Sequence, residues 1–116
     1  MQIVEVFLPL DTGSGVPIEP EIIEGIVGGL ADRFGGATAF TRSPAEGLWK
    51  KQSAIQKDRI IIVEVMVGEL DEAWWKAYRH RLETEFEQDE IVIRVTRCRK
   101  IRAPRRLSWA TPQLTV

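Results

Sequence analysis

The apolar positions of the chain follow two periods. Gln2–Leu8 (QIVEVFL) is rich in β-branched and aromatic residues and reads as a strand, stopped by Pro9. Arg59–Val67 (RIIIVEVMV) is a nearly continuous apolar run, as expected of a central strand, and Gly68 closes it. Ala37–Arg42 predicts a shorter strand and Glu90–Thr96 (EIVIRVT) a last one. Two stretches repeat at the helical period. Over Pro20–Phe34, Ile22, Ile23, Ile26, Val27, Leu30 and Phe34 share one side, Pro20 suits the first turn, and Gly35-Gly36 makes the stop. From Asp71, a natural N-cap, to about Glu87, the residues Leu70, Trp74, Trp75, Ala77, Tyr78, Leu82 and Phe86 form a broad apolar side. Between the second and third strands, Ser43-Pro44-Ala45-Glu46 has the S-x-x-E capping pattern of one helical turn, and Gly47–Asp58 reads as a polar connection holding Trp49.

The order is therefore β-α-β-β-α-β. It predicts an α+β, ferredoxin-like sandwich: a four-stranded antiparallel sheet, first and third predicted strands central, with two helices on one face. Side chains alternate across a strand, so each strand divides between two faces. Val4, Val6, Leu8, Ile61, Val63, Val65, Val67, Ile91, Ile93 and Val95 suit the helix side. Ile3, Glu5, Phe7, Ile60, Ile62, Glu64, Met66, Val92, Arg94 and Thr96 are left on the other, joined from the second strand by either Phe40 with Arg42, the favoured choice, or Ala39 with Thr41. That uncovered face is mostly apolar and calls for a cover: a second subunit, the C-terminal segment or a ligand. Glu5, Glu64 and Arg94 fall together at its middle. Two carboxylates and a guanidinium in a partly desolvated place suit either a structural ion-pair network or a general acid/base site with an anion-binding arginine.

Composition narrows the setting. The 116 residues suit one domain, and 44% hydrophobic content with four Trp supplies a core. No apolar run is long enough to span a membrane, and Met1–Leu10 lacks the basic start of a signal peptide, which predicts a cytoplasmic protein. A single cysteine, Cys98, and a single His80 argue against disulfides and multi-cysteine or zinc centres, and no cofactor motif is present. The net charge of −1 hides a split. Residues 1–93 hold all 17 acids and nine bases; residues 94–116 hold seven bases and no acid. The chain thus divides into a domain over residues 1–96 and a basic arm over 97–116. The arm suits an acidic surface of its own or a second chain, or nucleic acid through Arg97–Arg106. The acidic body and the lack of an aromatic strand motif weigh against nucleic acid.

Several short motifs carry simpler readings. Asp11-Thr12-Gly13 spells the aspartic-protease tripeptide, yet two plain helices and Pro9 disagree with that all-β family, and a turn is the better account. Gly13-Ser14-Gly15 lies between a strand and a helix, where backbone amides hold phosphate, without the spacing or lysine of a P-loop. Arg81 and Glu85, four apart, predict an ion pair on the helix rim.

Arg33-Phe34-Gly35-Gly36-Ala37-Thr38, then Gly47-Leu48-Trp49, a strand containing Glu64, and Phe86-Glu87-Gln88-Asp89-Glu90-Ile91-Val92 together resemble a group of small bacterial proteins of unknown function. Those proteins carry R-F-x-x-G-hydrophobic-T, G-x-W and F-x-Q-(D/E)-x-V. The likeness spans roughly residues 30–95. It implies a ferredoxin-like fold and marks Thr38, Gly47, Trp49 and Glu64 as candidate positions, without bringing a reaction or a cofactor.

The leading expectation is a homodimeric interaction or ligand-binding module working through the open sheet face, with Arg94, Arg42, Thr38 and Trp49 as ligand-binding candidates. The alternative is a dimeric α/β-barrel-type enzyme with Glu5 or Glu64 as acid/base and Arg94 holding a small anionic ligand. A nucleic-acid-binding accessory protein is the third reading.

Overall fold

A computed structural model describes residues 1–40, 45–51 and 54–101, with 45–51 and 54–58 described by their backbone alone. The elements are β1 (Gln2–Pro9), α1 (Pro20–Phe34), β2 (Thr38–Ala39), β3 (Ala45–Lys51), β4 (Ala54–Val67), α2 (Glu72–Glu85) and β5 (Ile93–Arg97). All pairings are antiparallel, in the order β2-β4-β1-β5, with β3 also on β4. β2 and β3 lie in tandem along one edge of β4: Thr38 is opposite Glu64, and Ala45 is opposite Ile60. The result is a four-stranded antiparallel α+β sheet with two helices, the ferredoxin-like arrangement.

β1 and β4 fix the register from Gln2 opposite Val67 to Pro9 opposite Ile60. This sends Val4, Val6, Leu8, Ile61, Val63, Val65 and Val67 to the helices, where all are buried. Each such side chain contributes roughly 1.5–3 kcal/mol of transfer free energy. Ile23 and Leu30 of α1 and Trp75, Tyr78 and Leu82 of α2 close the core from above, with Phe86 and Ile91 at its end. Of the predicted stripes, Ile22 and Ala77 turn outward. Trp75 fills the core while Trp74 is half-buried beside it. Val95, opposite Val4 on the edge strand β5, stays exposed because no helix reaches over it.

The local signals work as expected at the helix ends. Pro20 begins α1, and Gly35 ends it in the left-handed region at φ 84°, which a residue with a Cβ rarely adopts. Asp71 caps α2 by accepting from the Trp74 amide at 3.1 Å. After α2, the Ile91 amide donates to Glu83 Oε2 at 2.9 Å, which ties the entry to β5 against the helix.

Two readings of the middle of the chain change. Within Gly47–Asp58 the described residues are not a polar connection but paired strands, β3 against the first half of β4, with Trp49 opposite Gln56; Gln52 and Ser53 lie outside the described residues. Ala45 and Glu46 belong to β3, so the helical turn of the capping pattern does not form there; Ser43 and Pro44 lie outside the described residues. The free edge of β4 offers backbone donors and acceptors along its whole length, and pairing satisfies them better than one isolated turn. The second strand is shorter than predicted, although the Phe40 amide extends it by donating to the Ile62 carbonyl at 3.0 Å. The last strand starts at Ile93 rather than Glu90.

The Asp11–Pro17 loop folds back on the end of α2. The Gly13 amide donates to the Phe86 carbonyl at 3.0 Å, and Ser14 Oγ donates to Glu87 Oε1 at 2.7 Å. A Cβ at Gly13 would fall on the Glu87 carbonyl, so this approach requires glycine. The Gly15 amide donates to Thr12 O, which leaves both glycine amides committed and no cradle for phosphate. Asp11 pairs with Arg59 at 3.5 Å, as a turn residue rather than half of a protease dyad.

Replacing Asp71 by Ala is expected to lower stability by about 1 kcal/mol, read as a shift in the denaturant midpoint at unchanged slope. Tyr78, the chain's one tyrosine, gives a second check. Burial raises its pKa from 10.0 to about 12, with Glu85 adding to the rise and Arg81 opposing it. The unfolded chain therefore ionises first. The stability held by the neutral phenol is complete below about pH 10 and is lost as pH climbs towards 12, on the order of 2 kcal/mol in all. Tyr78→Phe should flatten that alkaline slope, and tyrosinate absorbance should report the late titration directly.

Candidate functional site: the helix-free sheet face

Register brings four of the predicted residues into one row across the sheet. Thr38 of β2 is opposite Glu64 of β4, Glu64 is opposite Glu5 of β1, and Glu5 is opposite Arg94 of β5. Directly opposed residues share a face with neighbouring Cβ atoms only about 4.5–5.5 Å apart, so the row is continuous. It lies on the side away from the helices, since its β1 and β4 members alternate with buried Val4, Val6, Val63 and Val65. Two like-charged carboxylates side by side in the centre are tolerable because one is neutralised. Arg94 Nε donates to Glu5 Oε1 at 3.0 Å, with the Glu5 side chain 19% exposed and that of Arg94 60% exposed. The guanidinium also lies 5.3 Å from the centre of the Phe7 ring, a cation–π contact that holds it over β1. Among the described residues the Glu64 carboxylate has no hydrogen bond or ion pair, and Thr38 beside it is exposed.

Around the row the face is apolar. Phe40 is 49% and Met66 48% exposed, and Ile3, Phe7, Ile62 and Val92 are half-buried. Among the described residues no helix covers this side. The arrangement can act in two ways: as a contact surface with a charged centre, or as a floor on which the Glu64 carboxylate and the partly exposed Arg94 guanidinium receive a polar ligand.

The other predicted site residues are placed differently. Trp49 sits in β3 at the register position opposite Gln56, four β4 positions beyond the pairing of Ala45 with Ile60, and thus away from the Glu64 row along the strand. Arg42 lies outside the described residues, as does the basic arm from Arg102 onward. The arm's first part, Cys98, still follows β1, its amide donating to the Met1 carbonyl at 3.0 Å. His80 is an exposed residue of α2. The chain motifs gave no sign of the Arg94–Phe7 stack, which depends on the β1–β5 register.

Because Arg94 is largely exposed, the Glu5–Arg94 pair is worth little by itself. A double-mutant cycle of Glu5→Gln and Arg94→Gln is expected to give a coupling of about 0.2–1 kcal/mol that shrinks in high salt, as measured by denaturant unfolding.

No protein-family model matches the chain, and no curated protein matches it in sequence. Solved structures do match in shape. A phage SAM lyase in complex with S-methyl-5'-thioadenosine superposes with a TM-score of 0.59 at 14% identity, over 82% of this chain and 79% of that one. The same kind of lyase in its apo state gives 0.56 at 13% identity, over 82% and 78%. A variant of CutA1 from Pyrococcus horikoshii OT3 gives 0.54 at 16% identity, over 88% and 87%. At such identities the likeness is one of fold: this chain has the small α+β, ferredoxin-like architecture that these proteins share.

Proposed function

We propose that the protein is a self-associating module whose helix-free sheet face is both its contact surface and its ligand site. The observation that carries this reading is the Thr38–Glu64–Glu5–Arg94 row set in an otherwise apolar, uncovered face. Exposed Phe40 and Met66 flank that row, and removing them from water is the driving term for association. A two-fold pairing of this face with itself matches one patch to its own copy, and it encloses the charged row within an apolar rim. Enclosure matters for the chemistry, since a free carboxylate and a guanidinium interact far more strongly with a ligand once water is excluded. Arg94 then serves an anionic group, while Glu64 and Thr38 supply an acceptor and a hydroxyl.

A second reading, an enzyme with Glu64 as acid/base on the same floor, is favoured by the Glu64 carboxylate, which has no ion-pair partner among the described residues. The structural neighbours lend it some support, because one is a SAM lyase holding S-methyl-5'-thioadenosine on a sheet-and-helix frame of this kind.

Light scattering on a sizing column at micromolar concentration is expected to give twice the mass of the chain, and Met66→Glu with Phe40→Glu should return it to the mass of one chain while circular dichroism stays unchanged. A monomeric parent protein would overturn self-association. Glu64→Gln separates the two readings: loss of turnover on a methylsulfonium nucleoside with dimer mass intact favours the enzyme, whereas a change in dimer stability alone favours the contact surface.

A further inference from the structure

A recess lies in the opposite layer, between the helices. It has a volume of about 330 Å³, at the small end of ligand pockets. One wall is α1, through Ile22, Gly25, Ile26 and Gly29; the other is α2, through Trp74, Tyr78, Arg81 and Glu85. Gly25 and Gly29 are one turn apart, so α1 presents bare backbone to the recess. Neither glycine is needed for packing or conformation: the Cβ of an alanine at either position meets nothing within 4 Å, and neither has a positive φ. Glycine inside a helix is unfavourable relative to alanine, and although Gly28 away from the cleft is equally unforced, Gly25 and Gly29 leave this wall without side chains and keep the space open.

The facing wall is aromatic. Trp74 and Tyr78 stack with centroids 4.8 Å apart and planes 13° from parallel. A flat backbone wall opposite stacked rings leaves a slot suited to a flat body. Its charged end is also set. The predicted Arg81–Glu85 ion pair does not form; Arg81 instead lies 5.0 Å from the centre of the Tyr78 ring, and neither charge has an ion-pair partner among the described residues. Among the described residues, a guanidinium that interacts with Tyr78 and a carboxylate, neither with an ion-pair partner, thus border a small aromatic-lined slot. We infer that this inter-helix cleft binds a small planar aromatic zwitterion, an aromatic amino acid being the simplest member, with its carboxylate on Arg81, its ammonium on Glu85 and its ring between Gly25/Gly29 and the Trp74–Tyr78 stack. This site is independent of the sheet face and does not rest on its proposed role.

The test is titration of the full-length ¹⁵N-labelled protein with L-tryptophan, following the Trp74 indole N–H resonance. N-acetyl-L-tryptophanamide, the same ring without either charge, is the control. Saturable shifts are expected with L-tryptophan and not with the blocked compound at equal concentration. The Gly25→Ala/Gly29→Ala chain should melt several degrees higher and bind at least about tenfold more weakly. A lack of any shift up to millimolar L-tryptophan would overturn the assignment, as would equal binding of the blocked compound or undiminished binding by the double variant. A fall in oligomeric mass on the double substitution would also overturn it, by making the cleft a contact between copies.

Discussion

The register between β1 and β4 is the constraint on which the rest depends. With Val4 opposite Val65 and Val6 opposite Val63, the valines of both central strands point to the same side and are sealed by the helices. The same register necessarily sets Glu5 opposite Glu64 on the other side. A slip of one residue would put both carboxylates into the core and the valines into water, which the transfer energies of that many apolar side chains forbid. The charged row is therefore a by-product of core formation in its position, though not in its chemistry. Arg94 from β5 neutralises one of the two acids, and Thr38 from β2 extends the row beyond the other.

The two layers carry different kinds of unfinished surface. On the sheet side, apolar residues are left uncovered around paired and unpaired charges, which fits a large partner. On the helix side, α1 and α2 border a recess where Gly25 and Gly29 carry no side chains, which fits a small one. The aromatic cluster of Phe34, Trp74, Trp75 and Tyr78 joins the layers: Trp75 stacks on Phe34 at 5.1 Å and belongs to the core, while Trp74 and Tyr78 edge the cleft. Its perimeter is basic, with Arg33 4.3 Å from the Trp74 ring centre.

The hairpin of β3 with the first half of β4 stands apart from both layers. β1 ends at Pro9 opposite Ile60 and the Leu10 amide still donates to the Arg59 carbonyl, so from Ala54 to Asp58 β3 is the one strand beside β4 among the described residues. A two-stranded ribbon is marginal in water without further packing. The segment therefore has reason to rest on a second surface, and it begins beside the sheet face on which self-association is proposed.

Strong, local signals in the amino-acid sequence determined the element types of most of the chain: the valine and isoleucine alternation of β1 and β4, the helical stripes, Pro20 and Gly35 at the ends of α1, and Asp71 as the cap of α2. Alternation alone also placed Glu5, Glu64 and Arg94 on one face. Tertiary structure decided what those signals could not reach. Gly47–Asp58 has a polar composition that favours no element, and its residues in β3 pair as a strand because the long edge of β4 offers them backbone partners. Arg81 and Glu85 have the spacing of a helical ion pair, and they part because the Tyr78 ring competes for the guanidinium. Periodicity fixes which side of an element a residue occupies, while the distance to a neighbouring element, and so each pairing, stack and cleft, is set only when the layers close on one another.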